Sequence, residues 1–132
     1  MIEYLLDTNA VIALINEPQG QVAMQARSHP AHTVAVSSIV MHELFFGAYK
    51  SQRVSRNVQI VDSLRLQVLP FELEDARCAG EIRALLAAHG TPIGAYDVLI
   101  AGQAQARSLT LVSHNLREFQ RVSGLKLVDW AA

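Results

Sequence analysis

The chain has 132 residues, of which 51% are hydrophobic and 17% charged, and its formal net charge is −1. This length predicts one domain over residues 1–132, and the composition excludes a disordered chain because so many apolar residues can form a core. The near-neutral charge neither indicates nor excludes a nucleic-acid partner, since the distribution of charge matters more than the sum.

The sequence predicts no membrane span and a cytoplasmic location. No apolar run approaches the roughly 20 residues that a membrane helix needs. The first residues, MIEYLLDTN, lack the basic segment of a signal peptide. The single cysteine, Cys78, excludes an internal disulfide and suits a reducing compartment.

Short apolar strand patterns alternate with helical patterns along the chain. The strand patterns occupy residues 4–7, 33–38, 66–71, 109–113 and 125–129. The helical patterns occupy residues 9–16, 20–28, 38–50, 56–65, 74–90 and 95–108. The alternation predicts an α/β fold with a parallel sheet, and the near-continuous apolar character of the strands indicates helices on both faces.

Acidic residues follow two of the predicted strands. Asp7 ends the stretch YLLD, and Glu118 lies about one helical turn beyond SHN at 113–115, which follows a later strand. An ionised carboxylate is costly inside a core, so Asp7 is expected where the strand ends at the mouth of a pocket. In open parallel sheets, ligands bind outside the carboxyl ends of the strands, which makes this edge the candidate site.

Two further acids, Glu43 and Asp97, lie in predicted helices. The residues three and four positions away are apolar or small in both cases: Ile39, Val40, Phe46 and Gly47 around Glu43, and Ile93, Gly94, Ile100 and Ala101 around Asp97. Since residues at these offsets share a helix face, both carboxylates are expected to face inward.

Carboxylates gathered in one pocket repel each other and favour a cation between them. Two unit charges about 4 Å apart cost roughly 4 kcal/mol at an effective dielectric constant near 20. Either some carboxyl groups keep a proton or a divalent cation neutralises them. Oxygen ligands without a Cys or His cluster suit Mg²⁺ or Mn²⁺, and such an ion supports hydrolysis of phosphodiester bonds.

Four motifs in order resemble those of PIN-domain ribonucleases: YLLDTNAVIALI, SSIVMHELFFGA, GEIRALLAAHGTPIGAYDVLIAGQAQA and LTLVSHNLREFQRVSGLKLVDW. The match is nearest to the VapC toxins of bacterial type II toxin–antitoxin pairs. The resemblance implies a three-layer α/β/α sandwich with a small, mainly parallel sheet. It also implies Mg²⁺- or Mn²⁺-dependent endonucleolytic cleavage of RNA, a homodimer, and inhibition in a higher-order complex with a VapB-type antitoxin.

The same resemblance assigns the site residues. Asp7 and Asp97 match the acids that bind the metal directly, and Glu43 matches an acid that acts through a water molecule of the ion. Many PIN domains carry an acid directly after the late strand, but this chain has Asn115 there. Glu118 is the alternative fourth carboxylate, so the sequence leaves open which of the two completes the site and whether it holds one metal or two.

The substrate is expected to be RNA, with tRNA as a candidate. A pocket of acids repels phosphates, so basic side chains must flank it. The candidates are Lys50, Arg53, Arg56, Arg107, Arg117 and Arg121. The three-residue spacing of Lys50, Arg53 and Arg56 predicts one basic stripe if a single helix carries them. The apolar stretch LFFGAY after Glu43 either packs in the core or receives an antitoxin or a second copy.

Two alternative functions remain open at this point. A catalytically inactive PIN-like module would bind RNA or protein without cleaving, although all three acids are present. An aspartate-based phosphatase would use Asp7 as its nucleophile, but that chemistry typically needs an Asp two residues later and a nearby lysine. Asn9 occupies that position, and the lysines are Lys50 and Lys126.

Overall fold

The structure is a computed structural model that describes residues 1–132. Its centre is a five-stranded parallel sheet with the strand order β3-β2-β1-β4-β5. The strands are β1 (Tyr4–Leu6), β2 (Val34–Ser37), β3 (Gln67–Leu69), β4 (Thr110–Val112) and β5 (Lys126–Val128). All five predicted strands are therefore confirmed, each shorter than its sequence pattern.

Seven helices connect the strands. They are α1 (Thr8–Asn16), α2 (Gln21–Arg27), α3 (Ser38–Lys50), α4 (Val54–Asp62), α5 (Leu73–Ala88), α6 (Ala95–Ala106) and α7 (Leu116–Phe119). The chain runs outward from β1 to β3 and then returns to β4 on the other side of β1. Because connections between parallel strands are right-handed, this strand order puts α1–α4 on one face and α5–α7 on the other, which agrees with the expected α/β/α fold.

The strand order reverses between β1 and β4, and this point fixes where a ligand can bind. Leu5 and Leu6 of β1 and Leu111 of β4 are fully buried, so the centre of the sheet is a closed core. The crevice lies outside the carboxyl ends of these two strands, where Asp7 and Ser113 emerge.

The boundaries of α3 and α4 correct one expectation. α3 ends at Lys50, and α4 begins at Val54 with Arg53 as its N-cap. Lys50 therefore ends α3, whereas Arg53 and Arg56 lie at the start of α4, so the condition for one basic stripe, a single helix that carries all three, is not met. The helix predicted over 56–65 begins two residues earlier and ends at Asp62. No helix is long and apolar enough to cross a membrane.

The aromatic side chain near the C-terminus packs over the start of the sheet. Trp130 is 4% exposed, and its ring stacks on that of His29 with the centroids 5.2 Å apart. Tyr4 contacts both rings at centroid distances of 4.5 Å and 5.1 Å. This cluster holds the segment after β5 against α2 and β1.

A buried ion pair joins α6 to α5. Arg107, the C-cap residue of α6, donates to both carboxylate oxygens of Asp75 at 3.2 Å and 2.8 Å, and also to the carbonyl of Pro70 at 2.7 Å. Asp75 is 1% exposed and also accepts the N–H of Glu72 at the start of α5. Arg107 is therefore engaged in a structural ion pair, and the expectation that it contacts RNA stays a prediction.

Helices α5 and α6 approach so closely that one position requires glycine. A Cβ atom at Gly102 would lie 2.5 Å from both Cα and Cβ of Ala79. Gly80, the next residue on α5, has nothing within 4 Å of the place where its Cβ would stand.

Gly102→Ala is expected to lower the free energy of unfolding by about 2–3 kcal/mol, because the two helices must separate to admit the methyl group. Gly80→Ala is the matched control and should raise it by about 0.5–1 kcal/mol, because alanine favours the helix and meets no neighbour. Urea unfolding followed by circular dichroism measures both. Equal shifts in the two variants would contradict the close contact.

Candidate active site

Asp7 lies at the junction of β1 and α1, and it is 4% exposed. It is the N-cap residue of α1: its Oδ1 accepts the N–H of Ala10 at 2.8 Å, and the Ser113 hydroxyl also hydrogen-bonds to the carboxyl group. Burial raises the pKa of Asp7 above its usual value, the two hydrogen bonds oppose that effect, and the negative charges of Glu43 and Asp129 add to it. The acid is thus held at the carboxyl end of β1, as the sequence predicted.

Glu43 reaches the site from α3, whose N-cap is Ser37. Thr8 donates from Oγ1 to Glu43 Oε1 at 2.8 Å, so the residue after Asp7 positions the second acid. Glu43 is half-buried, and its helical neighbour Phe46 is 61% exposed. Glu43 therefore lies where α3 leaves the core, at the rim of the crevice: the expected inward face is confirmed at Val40, which is fully buried, but not at Phe46.

Asp97 is in the first turn of α6, three residues after the N-cap Gly94. A Cβ atom at Gly94 would lie 3.0 Å from Asp97 Oδ2, so glycine leaves room for the carboxylate. Burial, together with the negative charges of Glu118, Asp7 and Glu43, raises the pKa of Asp97 from 3.8 to about 6. The other three acids are therefore close enough to Asp97 to affect its pKa.

The fourth position is occupied by a pair of side chains. Asn115 is the N-cap residue of α7, and its Nδ2 donates to Glu118 Oε2 at 2.8 Å. The backbone N–H of Asn115 donates to Ser113 Oγ at 2.9 Å, which links this pair to the hydroxyl beside Asp7. The sequence left open a choice between Asn115 and Glu118, and the structure brings both to the site.

The four acids have no basic partner of their own. The only salt bridges in the structure are Arg77–Glu74, Arg107–Glu72, Arg107–Asp75 and His114–Asp129. No group of three or more His, Cys, Asp or Glu side chains is positioned to hold a metal ion. Mg²⁺ usually takes one or two carboxylates and completes its shell with water and phosphate, so this oxygen-rich, negatively charged set suits it.

The remaining basic side chains differ in how they are engaged. Arg121 donates to the carbonyl of Pro92 at 2.8 Å, and Lys50 lies 5.6 Å from the centre of the Phe46 ring. Arg53, Arg56 and Arg117 are exposed. These five residues, without Arg107, remain the basic groups on which phosphate contacts are predicted.

One pair near the site was missed from the sequence. His114 Nδ1 lies 2.9 Å from Asp129 Oδ2, and the Asp129 Oδ1 accepts the N–H of Ala131 at 2.8 Å. Burial favours the neutral form of Asp129, but these hydrogen bonds outweigh it and hold the pKa of Asp129 below its usual range. The position of Asp129 directly after the last strand was the available signal, because that is the same edge at which Asp7 emerges.

An apolar groove of about 350 Å³ runs between α1, α3 and α4 and reaches Glu43. Ile12, Ile15 and Ile60 line it, Gly47 leaves it open, and Glu43 stands at its edge. The stretch LFFGAY is divided accordingly: Leu44 and Ala48 are buried, whereas Phe46 and Tyr49 are 61% and 64% exposed. Both alternatives for this stretch therefore hold in part: Leu44 and Ala48 pack in the core, and Phe46 and Tyr49 remain available for a partner.

Without a metal ion, stability is expected to fall as the pH rises from about 4 to 6. The folded protein keeps a proton on Asp97, whose pKa is about 6, that the unfolded chain releases near 3.8. The retained proton stabilises the folded protein fully below pH 3.8, and this stabilisation is lost as the pH rises through about 6. We expect the free energy of unfolding to fall by about 1–2 kcal/mol over this range, after a discount for solvent screening.

Urea unfolding in EDTA, compared between wild type and Asp97→Asn at several pH values, measures this effect. Asp97→Asn should be more stable than wild type only above about pH 6. Asp62→Asn, at the exposed end of α4, is the control and should follow wild type. A difference between wild type and Asp97→Asn that does not change with pH would contradict the prediction.

Comparisons with known proteins give consistent results. A family model described as the PIN domain matches residues 4–125. The tRNA(fMet)-specific endonuclease VapC of Salmonella typhimurium is 39% identical over 132 residues, which cover 98% of this chain and 99% of that protein. Ribonuclease VapC2 of Haemophilus influenzae is 38% identical over 132 residues, which cover 98% of this chain and 99% of that protein.

Solved structures give the same picture. DNA-bound VapBC from Salmonella typhimurium matches with a TM-score of 0.93 and 39% identity, over 98% of this chain and 99% of that one. VapBC2 from Rickettsia felis, bound to a DNA fragment from its promoter, matches with a TM-score of 0.90 and 36% identity over the same shares.

Proposed function

Because the chain belongs to the PIN-domain family and to its VapC ribonuclease branch, we propose that it is the toxin of a VapBC-type pair and cleaves RNA phosphodiester bonds with Mg²⁺ or Mn²⁺. The observation that carries the proposal is the meeting of Asp7, Glu43, Asp97 and Glu118 at the switch point of the sheet. These acids come from separate elements and have no basic partner, which favours a bound cation.

Asp7 and Asp97 would hold the metal ion. When bound, it supplies a Lewis acid that polarises the phosphoryl oxygen and makes water more acidic. Asp7 is oriented for this role by the N–H of Ala10 and by the Ser113 hydroxyl. Mg²⁺ is usually bound through one or two carboxylates, and water and phosphate complete its shell.

Glu43 and Glu118 act around the reacting phosphate. Thr8 occupies Glu43 Oε1, so Oε2 remains free to accept a hydrogen bond from the attacking water and to orient it. Asn115 holds Glu118 Oε2 and keeps that carboxylate at the site. Thr8 and Asn115 are therefore positioning residues, and each fixes one oxygen of an acid.

We propose a tRNA as the substrate and the cytoplasm as the place of action, because that is where tRNA is found. Two relatives, from Salmonella typhimurium and Shigella flexneri, are named tRNA(fMet)-specific endonucleases. Single-stranded loops are the parts of an RNA whose backbone can reach a recessed site. The proposed phosphate contacts are Lys50, Arg53, Arg56, Arg117 and Arg121.

The proposed antitoxin site is the apolar groove between α1, α3 and α4. The matched structures contain VapB-type partners, and the groove ends at Glu43. An apolar segment lying there can extend an arginine towards the acids and replace the charge of the metal ion with its own. The homodimer stays a prediction from the resemblance.

The experiment is RNA cleavage by purified, antitoxin-free protein on total tRNA, rRNA and mRNA, with Mg²⁺ or Mn²⁺ and then with EDTA. Cleavage that depends on the metal supports the ribonuclease. RNA binding without cleavage would support the inactive module instead, and release of phosphate from small esters would support the phosphatase.

A further inference from the structure

A second pocket lies beside the acids, on the side away from the apolar groove. It has a volume of about 490 Å³ and lies between α1, α2 and the carboxyl ends of β4 and β5. Its floor is apolar and includes Val22 and Trp130. Its polar lining consists of Asn9, Glu17, Ser113, His114, Asn115 and Asp129. An apolar floor below amides, an imidazole and carboxylates suits an uncharged planar heterocycle with polar edges.

The imidazole at the rim is held in a defined orientation. Asp129 accepts the Nδ1–H of His114 at 2.9 Å, and Asp129 is itself fixed by the N–H of Ala131. This contact leaves the opposite ring nitrogen, Nε2, free, and the His114 side chain is 77% exposed. In the neutral ring, Nε2 is then a hydrogen-bond acceptor on a residue that lines the pocket.

The pocket shares a wall with the acid cluster. Asn115 lines the pocket, and its Nδ2 holds Glu118. Ser113 lines it too, and its hydroxyl contacts Asp7. The pocket and the acid cluster are therefore adjacent.

We propose that this pocket binds one nucleobase of the RNA substrate next to the cleaved phosphate, and that His114 Nε2 accepts a hydrogen bond from that base. The inference rests on the proposed function and adds a determinant of sequence preference to it. Asp129 disfavours a phosphate in the same place, because its carboxylate carries a negative charge.

Binding is measured without cleavage by titrating the protein in EDTA with the four ribonucleoside monophosphates. Trp130 is the only tryptophan and lies in the pocket floor, so its fluorescence reports a base stacked nearby. At least one nucleotide should give a saturable change. His114→Ala should weaken its apparent affinity about fivefold, the effect of one lost hydrogen bond.

His32→Ala is the matched control, because His32 is exposed and does not line the pocket. Asn9→Ala, a second change at the exposed rim, should weaken the binding of the same nucleotide. The inference is overturned if no nucleotide changes the fluorescence or if His114→Ala and His32→Ala behave alike. That result leaves metal-dependent cleavage untouched, so it is distinct from failure of the proposed function.

Cleavage gives a second test with an RNA that wild type cuts. Removing the base beside the cut site, one nucleotide at a time, should slow wild type strongly at one position. His114→Ala should be insensitive to the missing base at that position only. Equal sensitivity of both proteins at every position would contradict the pocket assignment, whereas no cutting by wild type would contradict the proposed function.

Discussion

Asp7→Asn is expected to lower the rate of RNA cleavage by at least about a thousandfold, which corresponds to a loss of about 4 kcal/mol of transition-state stabilisation. Asparagine keeps an oxygen that accepts the N–H of Ala10, so the cap of α1 remains. It lacks the negative charge that the site needs for a cation. Because burial raises the pKa of Asp7, removing that charge should leave the free energy of unfolding unchanged or higher.

Asp97→Asn should show the same combination of lost activity and retained stability. Single-turnover cleavage of a labelled RNA, beside urea unfolding of each protein, separates the two effects. Asp62→Asn is the matched control, since it makes the same chemical change at an exposed position and should cleave like wild type. Full activity in either acid variant would rule out that carboxylate as a metal ligand.

Arg107→Ala is expected to cost about 3 kcal/mol of stability or more. It removes both hydrogen bonds to Asp75 and leaves a carboxylate that is 1% exposed without its counter-charge. Breaking a buried pair from one side is far more costly than losing an exposed pair. Arg77→Ala is the control: its partner Glu74 is 74% exposed and it is itself 71% exposed, so less than about 0.5 kcal/mol is expected.

The same two variants separate a structural role from an RNA contact. Cleavage by the folded fraction of Arg107→Ala should show the KM of wild type, because Arg107 points at α5 and not at the acids. Equal denaturant midpoints for Arg107→Ala and Arg77→Ala would contradict the buried pair. A raised KM without lost stability would return Arg107 to the substrate contacts.

The sequence was informative where one residue and its place on a strand determine the outcome. Asp7 follows three buried or half-buried strand residues, and a carboxylate there has to leave the core at the strand end. The alternation of strand and helix patterns predicted all five strands, because each pattern is local to its own segment. The position of Asp97 was predictable for the same reason: it depends on where α6 begins and on no distant residue.

The errors arose where long-range contacts decide. Periodicity put Phe46 beside Glu43 on an inward face, but Phe46 is 61% exposed and Glu43 stands at the edge of an open groove. The sequence around Arg107 does not distinguish it from an exposed basic residue. It reaches Asp75 only because α6 packs against α5. The pairing of His114 with Asp129 depends on the register of β4 and β5, which no local pattern specifies.

The acids come from widely separated parts of the chain, and this has a consequence during synthesis. Asp7 is made long before Glu118, and β5 must still pair with β4 before the edge that carries them is complete. A nascent chain from which β5 has not yet emerged therefore lacks part of the set. The candidate site is assembled only after all five strands are available to pair.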